Sequence, residues 1–399
     1  MSIKLLVLNS GSSSLKYQVF SMPDESVLCE GLMERIGLPE SKYKHKTPSQ
    51  VSEKIVDISD HGEALKGVVE LLMDKETGVV SSIDEIKAVG HRVVHGGSAF
   101  KETTAISEEV KATIQSLFNL APLHNPANLE GINVAESVFS KALQVAVFDT
   151  AFHQTIPTKA YKYAIPNKFL DRDHIRLYGF HGSSHKYVSE KALEYLGSDN
   201  SNLICVHLGN GCSITAVKNG KSVDHSLGFS PVNGLIMGTR SGDIDHSLIF
   251  YLVDVLKYDL DAVNKMLQSE SGLLGLTGFS DMREVEQEAA NGNADCQLAL
   301  EMTAYRIKKY IGAYTAAMNG LDGIVFTAGI GENSQLIRQL VCSDMSVLGI
   351  TIDPERNENL EDGIYEINKP NAKVKVLVIP TNEELEIAKQ TYKVFNRMT

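Results

Sequence analysis

From its first residues the chain alternates short apolar runs with turns that carry glycine, serine or proline. The runs at 4–8, 15–20 and 27–33 are each bounded by such residues and predict three strands in an antiparallel meander. The period then changes. Residues 63–75 read as a helix, 88–94 as a strand, 107–117 and 127–139 as helices, and 143–148 as a strand that ends at Asp149. Strands alternating with helices after a meander predict a mixed sheet in an α/β fold.

The pattern then repeats. Leu6-Val7-Leu8-Asn9-Ser10-Gly11-Ser12-Ser13 aligns with Val206-His207-Leu208-Gly209-Asn210-Gly211-Cys212-Ser213 at a constant offset of 200, with Leu8/Leu208, Gly11/Gly211 and Ser13/Ser213 identical. Segments 200–206, 214–218 and 222–225 restate the meander, and 321–326 is the strand before Thr327-Ala328-Gly329-Ile330-Gly331. A final helix at 383–395 begins at Thr381 and has acidic residues where a first turn favours them. Two copies near the starts of two halves predict a duplicated domain, a cleft between the halves and a tight hinge near residues 150–155. The domains read as 1–150 and 151–382, with the last helix, 383–399, completing the first.

Composition sharpens this picture. A chain of 399 residues exceeds the ~250–300 beyond which one core stops growing. Hydrophobic residues at 43% and charged residues at 22% are ordinary globular values. Lys and Arg total 38 against 50 Asp and Glu, a net charge of −12, and no basic run stands out, which argues against nucleic acid. The start lacks a signal-peptide pattern, and no apolar stretch of ~18 residues could cross a bilayer, so a soluble cytoplasmic protein without a membrane partner is expected. Cys29, Cys205, Cys212, Cys296 and Cys342 include no C-x-x-C pair and read as buried thiols in a reducing compartment.

Three glycine-bearing turns follow apolar strands. Asn9–Lys16 joins two strands, exposes backbone N–H groups and serine hydroxyls that can cradle an anion, and places Lys16 on the same side as Ser14; it is not G-x-x-x-x-G-K-[ST]. His207-Leu208-Gly209-Asn210-Gly211 is the second, and Ala328-Gly329-Ile330-Gly331-Glu332-Asn333 the third, read as a turn before a helix capped near Ser334. Together they point to a nucleotide held between the domains. Arg92, in Gly90–Gly97, and Arg240, between Gly238 and Gly242, are suited to gripping a carboxylate or phosphate, or to a surface ion pair. Asp149 closes a buried strand, a usual place for a functional group. Phe180-His181-Gly182-Ser183-Ser184-His185 fails the G-x-S-x-G elbow, and the His181/His185 pair lacks H-E-x-x-H and a third zinc ligand.

Taken together, Leu8–Lys16, Gly90–Gly97, Pro122-Leu123-His124-Asn125-Pro126, Phe148-Asp149-Thr150, Gly179–Gly182, Gly238–Asp243 and Thr381-Asn382-Glu383-Glu384 resemble the acetate kinase family, in the family's order and along the whole chain. The resemblance implies two duplicated ribonuclease H-like domains of the actin-like ATPase fold with an interdomain cleft. It also implies a phosphotransferase with a carboxyl acceptor, ATP and acetate giving ADP and acetyl phosphate by direct in-line transfer, in a cytoplasmic homodimer. Its cofactor would be Mg2+, replaceable by Mn2+, at Asn9 and Glu383, with Lys16 on the nucleotide phosphates. Arg92 would hold acetate, Val94, Leu123, Phe180 and Pro231 would wall its methyl group, and Asp149 matches an essential acidic residue. His181 and Arg240 would donate to the transferring phosphoryl group, with His124 in support. Residues 207–211, Asp281-Met282-Arg283 and Gly329–Asn333 match the family's ATP-binding stretches. The rival readings are a nucleotide switch of the chaperone or actin kind, which has no need of both arginines, and a propionate or butyrate kinase.

Overall fold

The computed structural model describes residues 2–399. The chain divides into two units, one running to Phe152 and resuming at Asn382–Thr399, the other spanning His153–Thr381.

The first unit is built on eight strands, β1 (Ile3–Ser10), β2 (Ser14–Met22), β3 (Ser26–Glu34), β4 (Lys42–Lys46), β5 (Val51–Ile55), β6 (Ile86–Val93), β7 (Thr104–Ala105) and β8 (Leu143–Phe148), in the order β5-β4-β3-β2-β1-β6-β8-β7. β1 to β5 form an antiparallel meander, whereas β6 lies parallel to both β1 and β8. Leu5, Leu6, Val7 and Leu8 are all buried, because β1 is central and covered on both faces. Leu6 and Leu8 enter a core with Leu65 and Val68 of helix α1 (His61–Leu72) and Ala135 of α3 (Asn125–Val138); α2 (Glu108–Ser116) packs beside α3. By the two-residue period of a strand, Leu5 and Val7 face the other way. A returning helix, Glu383–Met398, packs against β1, β2, β6 and β8. It lies so close that a Cβ on Gly90 of β6 would overlap Thr391.

The second unit repeats this plan. β9 (Asn202–Leu208), β10 (Cys212–Lys218), β11 (Lys221–His225), β12 (Gly323–Thr327), β13 (Tyr365–Glu366) and β14 (Lys375–Val378) lie in the order β11-β10-β9-β12-β14-β13. Position for position this is β3-β2-β1-β6-β8-β7: an antiparallel meander, two parallel strands, then a two-residue antiparallel edge. The offset repeat therefore marks two copies of one sheet topology. Its helices include α4 (Gly182–Leu196), α5 (Met282–Ala290), α6 (Ala294–Met318), α7 (Ala328–Asn333) and α8 (Gln335–Cys342).

Several boundaries move, each for a local reason. Asp60 caps α1 by accepting from the amide of Glu63, so the helix starts at His61 and stops at Leu72 instead of spanning 63–75. Asn382, not Thr381, caps the returning helix, its Oδ1 accepting from Leu385 N. The third glycine stretch is a correction of kind: Ala328–Asn333 is a helical turn, and Ser334 then caps α8. All five cysteines are buried free thiols, and burial raises Cys205 and Cys212 to about 12. Among the described residues no helix is long and apolar enough to cross a membrane.

Candidate active site

In the first unit the site starts from the β1–β2 hairpin. Gly11 N donates to Ser14 O at 2.8 Å, closing the turn. Asn9 and Lys16 are direct cross-strand partners, so both side chains share a face, the one toward the returning helix. Lys16 Nζ accordingly meets Glu384 of that helix at 2.5 Å. The hairpin is held from behind: His61 Nε2 donates to Gly11 O at 2.7 Å and Asn128 Nδ2 to Ser10 O at 2.8 Å. Asn128 Oδ1 also accepts from Val94 N at 3.0 Å, tying the hairpin to the segment after β6.

Arg92 and Asp149 lie at the ends of the parallel neighbours β6 and β8. Arg92 Nε reaches both Asp149 oxygens at 3.1 Å, and Nη2 reaches Oδ2 at 2.7 Å. This is an ion pair, as the plainer reading of Arg92 foresaw, but it is not a surface one: Asp149 is buried and the arginine side chain only 21% exposed. Burial disfavours the Arg92 charge and is outweighed by Asp149, Glu383 and Glu384, so its pKa rises. At Glu383 burial wins: it raises the carboxyl, assisted by Asp149 and Glu384 and opposed by Arg92 and Lys16. Three carboxylates thus face two cations. The site favours one more positive charge, and its donors, carboxylate and amide oxygens, suit a hard cation such as Mg2+. Among the described residues no three His, Cys, Asp or Glu side chains form a metal cage.

In the second unit His181 is the N-cap of α4 in the left-handed conformation, φ 57° and ψ 29°, a strained setting for a residue with a side chain. Its Nδ1 lies 2.9 Å from Ser213 Oγ, and its ring stacks on His207 at 4.5 Å. His207 Nδ1 lies 2.8 Å from Ser184 Oγ. A Cβ built on Gly211 would sit 3.6 Å from His181 Nε2 and 3.8 Å from Arg240 Nη1, so this glycine leaves open a space on which both side chains converge. Arg240 donates through Nη1 to Pro231 O at 2.9 Å and has no carboxylate partner among the described residues. Burial lowers its pKa. A half-buried guanidinium with no carboxylate partner among the described residues, beside a glycine turn, is suited to accepting an anion. Behind it His153, His185 and His225 are buried, and burial pushes all three down, His153 to about 4.

Beside the Gly209 turn lies a cavity of about 730 Å³, lined by Gly209, Asn210, Asp281, Met282, Arg283, Gly329, Ile330 and Asn333, which the resemblance offers as nucleotide residues, and by Ser280, Glu286 and Ser334, which it does not. The other foreseen nucleotide residues sit elsewhere. Leu208 is core, Gly331 packs on the β12 backbone, and Glu332 Oε1 accepts from Ala328 N at 2.8 Å and Thr381 N at 3.0 Å. Buried Arg338 holds α7 by donating to Gly331 O at 2.9 Å and Glu332 O at 2.8 Å. Its helical spacing gave no sign of this. Of the methyl-wall residues, Val94 and exposed Leu123 belong to the first unit, buried Phe180 and Pro231 to the second. His124 is the N-cap of α3 without a side-chain cap bond.

Comparison with known proteins now bears on this geometry. Residues 4–389 match the model of the Acetokinase family. The chain is 59% identical over 391 residues to an acetate kinase of Flavobacterium johnsoniae, covering 98% of this chain and 99% of that one. It is similar in structure to Porphyromonas gingivalis acetate kinase, at 45% identity and TM-score 0.93, and to a propionate kinase from Francisella tularensis, at 42% and 0.92, each over 98% of this chain and 99% of the other. The family match over nearly the whole length, joined to a duplicated α/β fold and a nucleotide-sized cavity beside an unpaired arginine, places this chain in the acetokinase family.

Proposed function

We propose that the chain transfers the γ-phosphoryl group of ATP to acetate by direct in-line displacement, reversibly, and that this proceeds with Mg2+. The observation that carries the reading is the convergence of Arg240 and His181 over Gly211 beside the cavity. The acceptor is already a nucleophile: a carboxylate oxygen bonds to the γ-phosphorus, the bond to the β-bridging oxygen breaks, and ADP leaves without any proton having to move. The protein's work is alignment, charge neutralisation and exclusion of water. On this reading the first unit supplies Arg92 and the metal residues, and the second most of the nucleotide residues.

Arg92, with Nε and Nη2 occupied by Asp149, presents its remaining Nη1 to the acetate carboxylate, and Asp149 fixes the plane of the fork. Val94, Leu123, Phe180 and Pro231 wall the methyl group, with His124 in support. Asn9 and Glu383 would hold Mg2+, Lys16 the phosphates, and residues 207–211, 281–283 and 329–333 the nucleotide. When bound, the ion neutralises phosphate oxygens. Arg240 and His181 donate to the equatorial oxygens as charge develops there. Hydroxylamine trapping of the acyl phosphate, with acetate, propionate and butyrate in parallel, tests the reading. Acetate should give the highest kcat/KM; a higher value for propionate would reassign the substrate, since one methylene is worth only ~1–3 kcal/mol.

The protein is read as a cytoplasmic homodimer. Phe250, Tyr251, Val255, Leu256, Tyr258 and Leu260 are all at least half exposed, an apolar stretch that a second copy would cover. Sedimentation should give a dimer, and Phe250→Asp with Tyr258→Asp a monomer; a monomeric unmodified protein would refute the assembly.

A further inference from the structure

Ser213 of β10 is fully buried, and its hydroxyl oxygen stands 2.9 Å from His181 Nδ1 and 2.7 Å from Nε2 of His185, one turn along α4. A hydroxyl has one proton, so Ser213 donates to one imidazole and accepts from the other. If it donates to His185, that ring carries its own proton on Nδ1, a buried atom with no hydrogen-bond partner. An N–H would then be orphaned in the core, the rarer and costlier kind of defect. If it donates to His181 Nδ1, His185 supplies Nε2–H to Ser213 and keeps only a bare lone pair on Nδ1.

The neighbouring rings are assigned by the same logic from backbone atoms. Phe180 O can only accept, so His153 donates Nε2–H to it at 2.9 Å. Phe180 N can only donate, so His225 Nε2 is bare, at 3.2 Å, and its Nδ1–H goes to Thr215 at 2.7 Å. Groups that face His181 include His185 from its own helix, His207 from β9 and Arg240 from the 226–246 segment.

We propose that Ser213, itself oriented by His185, is a positioning residue that fixes His181 as the neutral tautomer with its proton on Nε2. Nε2 is the nitrogen that shares the Gly211 space with Arg240. The donor required at the phosphoryl group is then present without charging the ring. The inference rests on the reading of His181 as a phosphoryl donor given above, and deepens it.

Nitrogen-15 spectra of the full chain, with His181 resonances identified by comparison with His181→Gln, read the tautomer directly. Nδ1 should show the shift of an unprotonated ring nitrogen and Nε2 that of an N–H; an Nδ1–H or doubly protonated ring overturns the proposal. In kinetics, Ser213→Ala and His185→Leu should lower kcat about tenfold, the order of one lost hydrogen bond, with both KM values within about twofold. His185→Gln places an amide N–H near the lost Nε2–H and should recover most of kcat. A purely structural role would make Gln and Leu fail alike, and that result, or unchanged kcat in Ser213→Ala and His185→Leu, refutes the mechanism. Should Ser213→Ala not fold, the spectrum of the unmodified protein and the Gln/Leu contrast still decide. His181→Ala with unaltered kcat would instead remove the phosphoryl role of His181, whatever tautomer the spectrum shows.

Discussion

Arg240→Ala is expected to lower kcat by at least about a hundredfold while changing the KM for ATP and acetate far less, because the lost contact strengthens as charge develops on the transferring group. The expectation follows from how little else engages this side chain. Its Nη1 reaches one carbonyl, Pro231 O, and among the described residues no carboxylate balances its charge. A guanidinium kept half-buried without a counter-ion carries a desolvation cost that a structural ion pair would have offset. Arg240→Lys should rescue poorly, since an ammonium cannot keep one nitrogen on Pro231 and present another to a phosphoryl oxygen in the same plane. Inhibition by ADP, acetate and aluminium fluoride, a planar mimic of the phosphoryl in flight, discriminates. If Arg240→Ala is inhibited as strongly as the unmodified enzyme, Arg240 does not touch that group.

Glu383→Gln should separate stability from activity. Burial raises the Glu383 carboxyl above its usual range, so the folded protein holds this proton more tightly than the unfolded chain does. The sign follows: stability falls as pH rises from the ordinary carboxylate value through the raised one, and at neutral pH the ionised group opposes folding. A neutral amide of the same shape removes that opposition, and the melting temperature should hold or rise. Activity should move the other way, with kcat down by at least about a hundredfold and the Mg2+ concentration for half-maximal rate up at least tenfold, because a carboxylate ligand has become a weaker amide. Thermal melting beside a Mg2+ titration reads both. A lower melting temperature with an unchanged Mg2+ response would make Glu383 a structural residue.

How much of this was legible in the sequence depended on burial. β1 and β9 announce themselves because central strands covered on both faces read as unbroken apolar runs, and their shared glycine turns exposed the duplication. β4, with Lys42-Tyr43-Lys44-His45-Lys46, and β5 gave no signal, since a strand at a solvated edge keeps few apolar residues. The two-residue β7 and β13 are too short for any period. Ala328–Asn333 reads as a turn because its glycines signal one; what holds it as a helix is Glu332 accepting from Ala328 N and Arg338 donating to its carbonyls, side-chain bonds that hydrophobic spacing does not announce. Arg92, Asp149, His181 and Arg240 stood out beside glycines or at a strand end, but their pairing did not. Ser213 looked like any small residue in a strand, and only its place between two imidazoles gives it chemistry.

The returning helix sets a schedule for synthesis. The first unit lacks its cover over β1, β2, β6 and β8 until about 230 further residues, those of the second unit, have been made. At about 5–20 residues per second, a nascent chain waits roughly 10–50 s with one face of its first sheet bare. During that wait Leu5 and Val7 are open to chaperones and to neighbouring chains. The step that finally covers them also delivers Glu383 and Glu384, so the acidic first turn that faces Arg92 and Lys16 and the completed sheet arrive on the ribosome's clock together.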